Sequence, residues 1–223
     1  RSCRWMAVPR AECMPGNAAA IALQSRSLRG PVACVDLETT GGMAANHRVI
    51  EVGIVLLEQG EIVEEWSTLV HPGTRIPSSI VAFTGIDDSM VADAPPFADV
   101  VQEVRRRLEG RLFVAHNARF DYGFLRAEFR RLGVKFAAPV LCTVKLSRAL
   151  YQEHARHNLD TLMDRFGLSC MARHRALGDA QVLPALIAAM EKQRGVDLMH
   201  AAVTEALRET RLPAHLPPEL ADD

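Results

Sequence analysis

The chain has 223 residues, 48% of them hydrophobic and 24% charged, with a formal net charge of −1. This composition excludes a disordered or fibrous chain, and the near-zero charge gives no global attraction to a polyanion. No stretch approaches the roughly 18 consecutive apolar residues of a membrane span, so no membrane partner is expected.

Residues 1–30 show neither sustained periodicity nor a strand and read as a poorly ordered extension, whose lack of an initial Met points to a processed, truncated or mis-assigned start. From Val32 to Leu37 runs a short, nearly continuous apolar segment, as in a central strand covered on both faces. Two further strands are predicted over Arg48 to Leu57 and Glu61 to Val70, joined by a turn at Glu58-Gln59-Gly60. A short helix over Ser78 to Phe83 and a longer one over Pro95 to Leu108 follow, the second entered through a Pro pair. Leu112 to Ala115 gives a fourth strand, and the helix after it is stopped by Gly133. Val140 to Val144 gives a fifth strand. Helices are then expected over Lys145 to Tyr151, Leu159 to Phe166, about Ala176 to Met190 and Val196 to Leu207. Three strands followed by alternating helices and strands predict an α/β domain over residues 31–193, with a mixed five-stranded sheet flanked by helices. Residues 194–223 then form a C-terminal helix and a Pro-rich tail or linker.

Cys3, Cys13, Cys34, Cys142 and Cys170 are odd in number, widely spaced and without a C-x-x-C pair, which argues against a disulfide framework or zinc ribbon and for a reducing, cytoplasmic compartment. Between Arg105 and Lys135 nine basic residues face three acidic ones. Such a stripe suits either phosphate contacts or a solvated helix face.

Three segments carry chemistry. Asp36 and Glu38, in Asp36-Leu37-Glu38-Thr39-Thr40-Gly41, lie two apart on a strand and so project to one face. Two carboxylates at the end of a buried strand repel each other and lose hydration, which a divalent cation between them relieves; the alternative is a strand end running into solvent. Asp121 falls in the first turn of the helix after His116-Asn117, where it serves either the site or the helix dipole, with Asn117 as the expected cap. His174 and Asp179 are spaced so that the His comes from a loop and the Asp from the first turn of the next helix. A near-neutral base that takes a proton from water is the chemistry to which His is suited. Pro184 falls inside that helix and predicts a kink near Ala180 to Pro184, with Asp179 expected to stay on the cleft.

Together, VDLETTG, HNARFD and HRALGD resemble the three motifs of the DEDD superfamily of 3′-to-5′ exonucleases, in its His-containing DnaQ-like subgroup, to which the proofreading ε subunits of bacterial DNA polymerase III belong. The resemblance spans about residues 31 to 193 and implies a ribonuclease H-like fold. It implies two divalent cations, Mg²⁺ or Mn²⁺, held by Asp36, Glu38, Asp121 and Asp179, with Asp36 shared between them and His174 as general base. It also places Leu37, Thr39, Thr40, Thr84, Gly85, Ile86, His116, Asn117 and Phe120 against substrate, and lets Gly41 and Gly42 give the chain room. Phe83 and Phe120 read first as packing residues, Phe120 being kept among the substrate candidates. The implied substrate is the 3′ end of single-stranded or frayed DNA in proofreading or repair, with RNA as the alternative. The implied partner is a DNA polymerase or repair protein, and an accessory binding subunit is the reading of another class. The tail PAHLPPELADD resembles the connection to a UvrC-like GIY-YIG nuclease domain in fused relatives.

Overall fold

A computed structural model describes residues 28–170 and 172–209. The N-terminal extension through residue 27, with Cys3 and Cys13, and the tail from 210 onward lie outside the described residues. The sheet contains β1 (Val32–Thr39), β2 (Val49–Glu58), β3 (Glu61–Leu69), β4 (Leu112–Ala115) and β5 (Val140–Cys142) in the order β3-β2-β1-β4-β5. β1 pairs antiparallel with β2 and parallel with β4, so the sheet is mixed.

The side-chain alternation of β1 divides the core. Val32 and Cys34 enter a cluster with α5 (Thr143–Leu150), α6 (Leu159–Phe166), α7 (Ala176–Arg194) and α8 (Val196–Glu209). Ala33, Val35 and Leu37 face the other way, against α3 (Phe97–Leu108) and α4 (Arg119–Arg131). Burial on both faces explains why β1 reads as an unbroken apolar run. The same alternation decides where the acids go, because Asp36 and Glu38 continue the row of Val32 and Cys34 toward α7. On β2 the matching row is Glu51, Gly53, Val55 and Leu57, in register with Glu38, Asp36, Cys34 and Val32.

Several elements depart from expectation. β5 ends at Cys142 rather than Val144, because Thr143 already opens α5 and offers its hydroxyl to the Ala115 carbonyl at 3.4 Å. Besides α1 (Ser78–Thr84), a short α2 (Asp88–Val91) forms, nucleated by Asp87, whose carboxylate accepts from the Met90 amide at 3.0 Å. Asn117 does not cap α4. Ala118 holds that position without a side-chain hydrogen bond, while Asn117 takes φ +68° in the turn before it. α7 runs to Arg194 rather than Met190, with Pro184 inside it, and α8 adds Met199, Val203 and Ala206 to the core beyond residue 193.

The basic stripe is not one surface. Arg107 is buried over the Trp66 ring and pairs with Glu64 and Glu103, while Arg111 pairs with Glu58 and Arg131 with Glu128. Its α3 half therefore tethers a helix to the sheet. Cys34, Cys142 and Cys170 are free thiols, and no helix among the described residues is long and apolar enough to cross a membrane.

Candidate active site

At the C-terminal end of β1 an open cavity of about 460 Å³ brings together Asp36, Glu38, Asp121, His174 and Asp179. Carboxylate oxygens of Asp36, Glu38 and Asp179 lie within 4.8 Å of one another. α7 carries Asp179 in its first turn, one helix start away from the strand that carries the other two. Asp121, on α4, is almost fully buried beneath β1 and accepts from the Leu37 amide at 3.1 Å. That hydrogen bond ties the second motif to the first at the residue between Asp36 and Glu38.

Crowding has electrostatic consequences. The Asp36 carboxyl is held well above the usual carboxylate range, first by loss of water and then by the charges of Asp121, Asp179 and Glu38. Glu38 is pushed up to about 7 by burial, with Asp179 and Glu51 adding to it and Arg173 and Arg175 opposing. Asp121 is also raised by burial, against the hydrogen bonds it accepts. Packed, dehydrated oxygen donors with no neutral ligand among them are the donor set of a hard divalent cation, so the residues present fit such ions.

Arg173 was not foreseen from sequence, although it directly precedes His174. Its guanidinium forms a salt bridge to Asp179 and also reaches Asp160 through Nη2 at 2.7 Å and Nε at 2.9 Å. One cation thus offsets part of the acid cluster.

His174 takes φ +58°, a left-handed conformation that a non-glycine residue adopts at a cost of roughly 1–2 kcal/mol. Phe83 lies against it, the ring centroids 4.3 Å apart and the planes tilted by 47°. Phe83 is 61% exposed and lines the cavity, so its expected place in the core is corrected: α1 ends at Thr84 and presents its last turn to the cleft.

The remaining expected contacts divide. Leu37, Thr39, Thr84, His116, Asn117 and Phe120 line the cavity, as do Gly41 and Gly42. An added Cβ at Gly41 would meet the His47 ring at 2.7 Å, so a side chain there would have to displace that ring. Thr40, Gly85 and Ile86 do not line it. Thr40 is buried in the β1–β2 connection, where its hydroxyl accepts from the Arg48 amide at 3.0 Å. Gly85 caps α1 at φ +71°, and Ile86 is fully buried in a small core of its own. Phe120 packs on Phe124, ring centroids 4.8 Å apart, and still borders the cavity. Burial pushes His116 down to about 4, so its ring is neutral near pH 7, with Nδ1 2.9 Å from the Thr143 hydroxyl. Sequence reasoning also missed Asn158, Leu159 and Asp160 on the cavity wall; they open α6, and only the fold brings that helix here.

A family model described as exonuclease, of the RNase T type, matches residues 33–187. A DNA polymerase III PolC-type protein of Caldanaerobacter subterraneus subsp. tengcongensis is 40% identical over 155 residues, which are 70% of this chain and 11% of that protein. A DNA polymerase III subunit epsilon-like protein of Rhodobacter capsulatus is 38% identical over 190 residues, 79% of this chain and 26% of that one. The chain therefore spans only a minor part of the length of these relatives. Exonuclease X, solved in complex with 5′ overhanging duplex DNA, matches with a TM-score of 0.60 and 26% identity over 75% of this chain and 99% of that chain. Exonuclease I shares the fold at a TM-score of 0.70 and 17% identity, over 77% of this chain and 43% of the other.

Proposed function

Since the chain belongs to the RNase T family of exonucleases and has their ribonuclease H-like fold, we propose that it removes nucleoside monophosphates from the 3′ end of single-stranded or frayed DNA, in proofreading or repair. The observation that carries this reading is the meeting of Asp36, Glu38 and Asp179 within 4.8 Å, in a cavity that His174 also lines. Asp36, Glu38 and Asp179 would hold one divalent cation, with Asp36 shared and Asp121 supporting a second. Such ions, Mg²⁺ or Mn²⁺, supply charge neutralisation for the attacking and leaving oxygens of an in-line displacement.

The chain's own groups do the rest. His174 takes a proton from the attacking water as its oxygen bonds to phosphorus and the bond from phosphorus to the 3′ oxygen breaks; the departing 3′ oxygen takes up a proton from solvent and His174 releases its own, leaving a nucleoside 5′-monophosphate and a new 3′ hydroxyl. Phe83 fixes the imidazole plane and offers its exposed face to the terminal base. Thr39, whose hydroxyl donates to the Gly41 carbonyl at 2.8 Å, shapes the wall against which the terminal sugar rests. A DNA polymerase or repair protein is the partner that fits relatives named for polymerase III.

The test is product length against time, with Mn²⁺, for matched 5′-labelled DNA and RNA oligonucleotides and for wild type and Asp179→Ala. A ladder shrinking from the 3′ end in wild type alone is expected, faster on DNA. A faster RNA ladder transfers the reading to RNA processing, and no ladder with the fold intact transfers it to a binding subunit.

A further inference from the structure

A second cavity, of about 530 Å³, opens beside the first and shares Asn117 with it. It runs along the open edge of β5, from Ala137 and Ala138 before the strand through Val140 and Cys142 to Val144 after it, between the first turns of α4 and α5. The two cavities have opposite character. Five carboxylates line the first: Asp36, Glu38, Asp121, Asp160 and Asp179. No carboxylate lines the second, whose rim carries the exposed Arg119, Lys145 and Arg148 around the half-buried, largely apolar Tyr122, Val140 and Val144. Its wall is pre-formed. The Tyr122 hydroxyl accepts from the Ala138 amide at 3.1 Å, and the Tyr122 ring sits edge-on to Phe113 with centroids 5.4 Å apart.

We propose that this cavity is an upstream subsite for the strand whose 3′ end occupies the acidic cavity, with Arg119, Lys145 and Arg148 taking backbone phosphate and the Tyr122, Val140 and Val144 surface taking sugar and base. The inference rests on the functional reading above and adds the path of the strand. Two observations select nucleic acid as the occupant: the cavity shares the wall residue Asn117 with the acidic one, and its rim carries one charge sign. A basic rim around an apolar surface is also how single strands are held without regard to sequence, by phosphate attraction and base contact together. Cations here also balance the repulsion a polyanion meets from five acids next door.

The experiment measures binding of 5′-fluorescein oligothymidylates of two and eight nucleotides to the full chain carrying Asp179→Asn, by fluorescence anisotropy over a salt series. It is repeated with Arg119→Ala and Arg148→Ala added together. The octamer is expected to lose about tenfold in affinity and its salt slope to fall by roughly 1.4, each single-strand phosphate contact contributing about 0.7. The dinucleotide should stay within twofold, and Arg119→Lys with Arg148→Lys should keep octamer affinity, which separates lost charge from lost fold. Equal losses for both lengths would place the arginines at the terminal nucleotide and overturn the subsite. No loss for either, in a variant with an unchanged circular dichroism spectrum, would overturn it too and leave the cavity to a protein partner. If wild type neither binds nor shortens any oligonucleotide, the functional reading itself fails and takes the subsite with it.

Discussion

Glu51 on β2 holds Arg175 by a forked ion pair, receiving Nε at 3.1 and 3.0 Å and Nη2 at 2.6 Å, and the same carboxylate receives the Ala176 amide at 2.9 Å. The first turn of α7 is thereby fastened to the sheet four residues ahead of Asp179. Gly53, the next residue of that β2 row, completes the seat: a Cβ there would lie 2.2 Å from the Ala176 carbonyl carbon and 2.3 Å from the Leu177 nitrogen. The distance between Asp179 and the two acids of β1 is therefore set by residues outside the three motifs.

Two substitutions test this seat. Gly53→Ala should lift α7 and destabilise the chain by about 1–3 kcal/mol, the usual range for overpacking. Glu51→Ala should lose about 2 kcal/mol, the scale of hydrogen bonds to a charged group, reduced by the exposure of Arg175. Urea unfolding gives the stabilities, and Mn²⁺ titration calorimetry should show weakened binding in both although no proposed ligand has changed. Wild-type Mn²⁺ affinity in Gly53→Ala would show that the seat does not govern the cluster.

Stability should depend on pH and divalent cations together. Glu38 is pushed up to about 7, above the 4.5 of a free Glu side chain, so the fold favours its protonated form. That contribution is complete below about 4.5 and is lost as pH rises through about 7. Asp36 and Asp121 are shifted in the same direction. Chelated protein should therefore melt lower at pH 8 than at pH 5.5, and Mg²⁺ should raise the melting temperature more at pH 8, where the carboxylates are ionised and ready to bind. Equal Mg²⁺ shifts at both pH values would contradict the assignment of the cluster as a cation site.

Arg173 competes with any cation at Asp179. Replacing it with Gln should tighten Mn²⁺ binding severalfold in the absence of nucleic acid, because the guanidinium no longer has to be displaced. Calorimetry on the two proteins decides the point. Weaker binding in Arg173→Gln would instead make the arginine a support that orients Asp179.

His174 and Phe83 should separate kinetically. His174→Ala is expected to lower kcat by about 10²-fold or more and to remove the limb of the pH–rate profile that reports the base. Phe83→Ala should cost about 1–3 kcal/mol in substrate binding, the range for one stacked base, so KM carries most of its effect while the pH limb survives. A limb that survives in His174→Ala would move the base elsewhere. His116, held neutral by burial, should leave that limb in place when changed to Gln.

Most of the fold was legible because its signals are local. The unbroken apolar run of β1 follows from burial on both faces, and Gln59 and Gly60, at φ +54° and +85°, form the turn that Glu58-Gln59-Gly60 announced. The end of β5 was missed because Thr143 turns into a helix to satisfy the Ala115 carbonyl, a partner 28 positions away. Hydropathy alone sends Phe83 to the core, because it says how apolar a residue is and not whether anything covers it.

Local patterning is enough to put Asp36 and Glu38 on one face and to place the helix starts that carry Asp121 and Asp179 and the loop that carries His174. These follow from strand and helix periods, which act over a few residues. Long-range packing brings α7 down on that face, seated by Glu51 and Gly53, sets Arg173 rather than solvent against Asp179, and puts a basic cavity beside an acidic one at Asn117. Those outcomes depend on packing and charge between segments that no local period relates, where side-chain volume and the loss of water, not spacing, select the arrangement.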